Sequence, residues 1–225
     1  MSLAIETENL TKDFRGVRAV DSVNLRIPAG AIFGLIRTNG AGKTTLIKIL
    51  VNVLRARTGR AFVLGTDSRH LSPRRFTEIG YLSENQELPG WMPVSYFLQY
   101  LRDFYPVWDD ALANELLREF NLPLDRPLDK LSRGMRIKAA LVSILAYRPR
   151  VVVLDEPFSG LDALVRDEVV QGLLTRSGDA TVLISSHDLA EIETFASHIG
   201  YMEAGGLKFA EKLQALPIAF AEASS

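Results

Sequence analysis

Residues 31–50 constrain this chain more than any other stretch: AIFGLI, then RTNGAGKTT, then LIKIL. The apolar run reads as a buried strand, the Gly-rich segment as a turn, and the apolar period after Thr45 as a helix. A strand, loop and helix joined in this way point several backbone N–H groups and a helix N-terminus at one spot, which makes a ready anion site. Lys43 adds a point charge for outer phosphates, and Thr44 a hydroxyl for Mg2+. The strict phosphate-loop pattern, G-x-x-x-x-G-K-[ST], asks for glycine at position 37, where this chain has Arg37.

N-terminal to that junction, the pattern predicts short strands over residues 3–5 and 23–27, ending at the turn Pro28-Ala29-Gly30. Phe14, in KDFRG between them, reads either as a core aromatic under a loop or as a ring on which a purine base stacks. After the loop helix, GRAFVLG (59–65) and IGYL (79–82) read as further strands, with Glu84 just beyond the second. From residue 94 to 120 the apolar period becomes helical, through Val94, Phe97, Leu98, Leu101, Leu112, Leu116, Leu117 and Phe120. The middle third is thus a candidate helical insert in an otherwise alternating α/β chain. Trp91, Phe104, Tyr105 and Trp108 crowd into it, as core residues or as a partner surface.

LSRGM (131–135) precedes an apolar-periodic helix over 137–147 that stops before Pro149. Ser132 suits an N-cap, and the Ser132, Arg133, Gly134 and Arg136 of that first turn also suit a phosphate. VVVLDE (151–156) is a continuous apolar run, the mark of a strand buried on both faces, and it ends in two carboxylates. Adjacent carboxylates at the end of a buried strand are costly unless they meet a cation or a water. Asp155 is therefore placed to help hold Mg2+, and Glu156 to polarise the water that attacks a terminal phosphate. PFSGLD (157–162) is a turn followed by a helix to about residue 176. TVLIS (181–185) is another buried strand, with His187 just beyond its end and able to reach the terminal phosphate. Residues 200–206 read as the last strand and its turn, and LPIAFAEASS carries no signal.

The chain has 225 residues, 47% hydrophobic and 24% charged, which is enough for one globular domain with a substantial core. A net charge of -1 offers no electrostatic attraction for nucleic acid. The absence of Cys removes disulfides, thiolate zinc sites and cysteine nucleophiles together. MSLAIETENL is acidic where a signal peptide needs an apolar core, and no apolar run spans a membrane, so something else must hold the chain at one.

Taken together, the order of these pieces resembles the ATP-binding-cassette (ABC) ATPases. The resemblance runs from Phe14 to about residue 207. It implies an α/β fold: a P-loop NTPase core of ABC type, with an antiparallel β-subdomain and a helical insert subdomain. The expected organisation is a single domain over 1–225, its core at about 1–85 and 149–215 and its helical subdomain at about 86–148.

By resemblance, Phe14 stacks on adenine, and Asn39, Gly40, Ala41, Gly42, Lys43, Thr44 and Thr45 form the Walker A cradle. Glu84 stands at the position of the Q-loop glutamine, where its oxygens could still serve Mg2+ or a water. LSRGM matches the signature LSGGQ, with Arg133 for the first glycine and Met135 for the glutamine. Asp155 is the implied magnesium residue, Glu156 the general base, residues 159–162 through Asp162 the D-loop, and His187 the switch histidine. The implied cofactors are ATP and Mg2+. Two such cassettes face each other, as a homodimer or as a heterodimer with another ABC ATPase, so Ser132 and Gly134 close over the partner's ATP. Other implied partners are transmembrane permease subunits, whose coupling helices meet the helical insert and the loop after Glu84; no nucleic acid is expected.

LSRGM with Glu84 is most similar to cassettes of ABC-2 exporters, and the short stretch after His187 argues against an added regulatory domain. The expected location is cytoplasmic, peripheral on the inner face of the membrane through the permease. One alternative is a soluble ABC ATPase used as an assembly or dimerisation switch; another is a cassette that binds nucleotide without turning it over. Arg37, if its φ is positive, costs about 1 kcal/mol, which predicts ATP binding weakened but not abolished relative to Arg37→Gly.

Overall fold

The computed structural model describes residues 2–36, 40 and 42–213. Arg37, Asn39, Ala41 and the C-terminal LPIAFAEASS lie outside the described residues. The chain opens with β1 (Leu3–Phe14), β2 (Val17–Val23), β3 (Arg26–Pro28), β4 (Ile32–Ile36), α1 (Lys43–Leu50), β5 (Thr58–Val63) and β6 (Thr66–Asp67). Next come α2 (Pro73–Phe76), β7 (Ile79–Leu82), α3 (Val94–Arg102), α4 (Asp110–Glu119) and α5 (Arg133–Leu145). The chain continues with β8 (Val151–Asp155), α6 (Ala163–Arg176), β9 (Thr181–Ser186), β10 (His198–Glu203) and β11 (Gly206–Lys212).

These strands make two sheets. One runs β2-β1-β5-β6 with β3 also on β1, and all its pairings are antiparallel. The other has the order β11-β10-β4-β9-β8-β7, parallel except for β11. Side chains alternate across a strand, so each central strand feeds two cores. Val151 and Val153 of β8 join Phe33, Leu35 and α1 on the face covered by the antiparallel sheet. Val152 and Leu154 join Val182, Ile184 and the helices α3 to α6 on the other.

The helical pattern over 94–120 is broken rather than continuous. Pro106 disfavours helix at the residue before it, and Asp109 starts a new helix by accepting from the Leu112 N–H at 2.8 Å. β1 runs well beyond the expected residues 3–5. Its middle is held by Thr7, whose hydroxyl donates to the Val23 carbonyl and accepts from the Leu25 N–H, both at 2.9 Å. Register shifts after Leu10 and a positive φ of 45° at Asn9 obscure its alternation. The expected strand over 23–27 is divided between β2 and β3, with Asn24 holding the Asn9 N–H at 2.9 Å. β11 is an edge strand whose apolar alternation extends only over Leu207 and Phe209, too short to be read as a strand.

Candidate active site

Three neighbouring strands end together. Ile36 of β4 lies opposite Ser186 of β9, and Asp155 of β8 opposite Ser185. In a parallel sheet the carboxyl ends of such strands are where ligands sit. Here the chain leaving β4 turns into α1, whose first N–H groups lack partners within the helix. Gly42 caps α1 with φ 95°, and a Cβ there would stand 1.9 Å from the Ala19 carbonyl oxygen, so only glycine fits. The same contact brings the β1–β2 hairpin, with Phe14 at its end, beside the start of α1. Phe14 is 42% exposed, and the Lys12 ammonium lies 5.0 Å from its ring centre.

Lys43 is buried and donates to Glu156 Oε1 and to the Ser186 carbonyl, both at 2.6 Å. Glu156 is also buried, and its other oxygen, Oε2, lies 3.0 Å from His187 Nδ1. That contact with Glu156 is the main reason the imidazole titrates above its ordinary 6.5; desolvation opposes it. Glu156 adopts φ 50°, a left-handed backbone that costs a non-Gly residue about 1–2 kcal/mol, and its N–H is held by Ser185 Oγ at 2.9 Å.

Ser185 Oγ in turn donates to Asp155 Oδ1 at 2.7 Å, and Thr44 Oγ1 reaches the same oxygen at 3.2 Å. Asp155 Oδ2 is buried with no hydrogen-bond partner. A buried carboxylate oxygen left open beside a threonine hydroxyl fits Mg2+, which takes one or two protein oxygens and fills the rest of its shell with phosphate and water. Among the described residues no three His, Cys, Asp or Glu cluster so as to hold a metal ion. The charge on Asp155 and burial together push the Tyr81 hydroxyl up to about 12, burial being the larger cause.

The remaining expected residues lie outside this contact network. Glu84 is exposed in the turn after β7 and makes no contact with Thr44 or Asp155. Ser132 caps α5 by accepting from the Met135 N–H at 3.2 Å. Gly134 is buried; a Cβ there would lie 2.6 Å from Val165 Cγ1, so its glycine also serves the packing of α5 on α6. Asp162 caps α6 by accepting from the Val165 N–H at 2.9 Å.

Ser185 was not evident as a site residue. Its signal is a hydroxyl at the end of an otherwise apolar strand, meaningful only once β9 is known to lie beside β8. The aromatics of the insert divide. Tyr105 stacks on Tyr147 with centroids 3.9 Å apart and Trp108 packs on the core, whereas Trp91 and Phe104 are 69% and 61% exposed.

A helix N-terminus, a lysine and a carboxylate pair at the ends of parallel strands define a P-loop nucleotide-hydrolysing protein. The ABC transporter family profile matches residues 20–159. The chain is 32% identical over 205 residues to the ABC transporter ATP-binding protein YtrB of Bacillus subtilis, covering 90% of this chain and 70% of YtrB. It is 30% identical over 211 residues to the bacitracin transport ATP-binding protein BcrA of Enterococcus faecalis, covering 92% and 68%. To the probable sulfate/thiosulfate import protein CysA of Chlorella vulgaris it is 32% identical over 211 residues, covering 90% and 89%.

Among solved structures, an ATP-binding subunit of an ABC transporter superposes with a TM-score of 0.86 at 24% identity over the whole of both chains. The dimeric cassette MJ0796 bound to ADP and Pi gives 0.81 at 22% identity, over 93% of this chain and 98% of that one. This chain belongs to the ABC transporter family, as one of its ATP-binding, ATP-hydrolysing subunits.

Proposed function

We propose that the chain drives an exporter: two cassettes close on ATP, hydrolyse it, and reopen against a membrane permease. The observation that carries this reading is the linked set Lys43, Glu156 and His187 beside the open oxygen of Asp155. Both oxygens of Glu156 are engaged, Oε1 by Lys43 and Oε2 by His187. Phosphates bound by Lys43 compete with Glu156 for its ammonium and leave Oε1 free to act. Oε1 then accepts a proton from the attacking water while His187 keeps Oε2 in place. Thr44 and Asp155 would hold Mg2+, which when bound would supply positive charge against the phosphates. Phe14 carries the adenine, and Asn39 to Thr45 the phosphates.

The dimer is supported by the placement of α5. Neither Ser132 nor Gly134 touches Lys43 or Thr44, and α5 and α1 belong to the cores on opposite faces of the sheet. The N-terminus of α5 is thus offered outward, to a second cassette, whether identical or different. Asp162, in the turn between Glu156 and α6, joins that interface. The exporter direction draws on LSRGM and Glu84; the similarity to the probable import protein CysA points the other way. No helix among the described residues is long and apolar enough to cross a membrane. Attachment to the inner face is therefore assigned to the permease, which meets the exposed Trp91, Tyr96, Tyr100 and Phe104.

Glu156→Gln is the test. With ATP and Mg2+ it should run as a stable dimer by light scattering, bind ATP, and release phosphate about 10²–10⁴ times more slowly than the parent. Phosphate release at the parental rate would remove Glu156 as the base, and a monomer at saturating ATP would remove the dimer.

A further inference from the structure

Between the turn after β7 and the start of α5 lies a cavity of about 260 Å3. It is lined by residues 82–88, by Arg133, Arg136, Ile137 and Ala140 of α5, and by Glu156 and Pro157. Three of its charged lining residues, Glu84, Glu87 and Arg133, make no side-chain hydrogen bond or ion pair among the described residues, and Arg133 is the one cation of the three. Arg136, by contrast, is tied to the Leu131 carbonyl at 3.0 Å. Arg133 also lies against the turn that follows Glu156. A Cβ built on Gly160, at φ 70°, would have the guanidinium carbon as its nearest neighbour, at 3.6 Å.

Three segments thus meet around one unpaired cation: the turn carrying Glu84, the first residue of the helix capped by Ser132, and the turn beginning at Glu156. Opposite charges flanking a partly enclosed space attract more strongly than they would in bulk water. A carboxylate is the planar partner that a guanidinium accepts by two parallel bonds.

We propose that Glu84 and Arg133 form an ion pair when the cavity closes during the ATP cycle. The pair fastens the turn after β7 to α5 and to the Gly160 turn, and so sets the position of Glu156 and of the Ser132 cap for turnover. Both are positioning residues; neither touches the reacting atoms. The inference rests on the ATPase activity and not on the direction of transport.

The experiment is a charge-reversal cycle on the full chain, reading steady-state ATP hydrolysis and equilibrium binding of a fluorescent ATP analogue. Glu84→Arg and Arg133→Glu are each expected to lower kcat about tenfold, with the melting temperature unchanged. The double reversal should recover kcat to within about threefold of the parent. A double variant as slow as the product of the two single losses overturns the pair, as does parental turnover in either single variant. If a reversal fails to fold, Glu84→Gln and Arg133→Gln form the same cycle. The second substitution must then cost nothing once the first is made, and additive losses overturn the proposal.

Discussion

At the scale of single residues, Glu156 is held through its backbone and its side chain together. It is buried, left-handed at φ 50°, and bonded through its N–H and both oxygens. Strain of this kind persists only where the surroundings hold it, and here they do so through Lys43, Ser185 and His187. The His187 contact makes stability depend on pH. Its folded pKa is raised above 6.5 chiefly by Glu156, so folding favours the charged imidazole. That contribution is complete below about pH 6.5 and is lost as pH rises through the higher folded value. Urea midpoints measured from pH 6 to 9 should therefore fall with pH more steeply in the parent than in His187→Ala. Parallel profiles would show that the ring contributes no protonation-linked stability.

Asp155, Glu156 and His187 are readable as candidates because each sits where an apolar run gives way to a turn, and Lys43 and Thr44 because a Gly-rich turn gives way to an apolar-periodic helix. Ser185 is not. A serine in a strand has no evident task until the strand beside it supplies Asp155.

At the scale of elements, local chemistry decides the helices and long-range pairing decides the sheet. Asp162 caps α6 where the sequence pattern has a helix begin, and Ser132 is the expected N-cap although α5 starts at Arg133, ahead of the apolar period read from residue 137; both are readable because a cap is a local bond three residues long. The strand order was not legible. β4 pairs with β9 across some 150 residues of chain, and nothing in IFGLI or TVLISS names the other. The division of the middle region into α3 and α4 was readable at Pro106, but the apolar period runs on beyond that residue.

Packing between α5 and α6 gives a further test. Gly134→Ala places a methyl 2.6 Å from Val165 Cγ1, an overpacking that should cost about 1–3 kcal/mol in chemical denaturation. Adding Val165→Ala should relieve most of that cost. If Gly134→Ala instead lowers ATP turnover while leaving the denaturation midpoint in place, the glycine serves phosphate contact and not packing.

At the scale of the whole molecule, the parallel sheet separates two surfaces with different tasks. One face carries α1 and the antiparallel sheet, with Phe14 beside the phosphate loop. The other carries the helices, and its outer side is unusually apolar. Trp91 and Tyr96 lie 6.1 Å apart, and Tyr100 and Phe104 form an edge-on pair at 5.1 Å, all exposed on or beside α3. Solvent-facing aromatics at this density are the composition of a binding surface and add little to a core.

The fold should therefore tolerate their loss while attachment does not. Replacing Trp91 and Phe104 together by Ser should change the unfolding free energy by no more than about 0.5 kcal/mol per site. Binding of the fluorescent ATP analogue should stay at the parental level, since neither ring lines the nucleotide site. Recovery of the chain with the membrane fraction of permease-expressing cells should fall about tenfold or more, as expected for the loss of two central aromatic anchors. A doubly substituted chain that sediments with membranes as the parent does would move the permease contact away from α3. Loss of folding would instead show that the exposed rings hold the insert together.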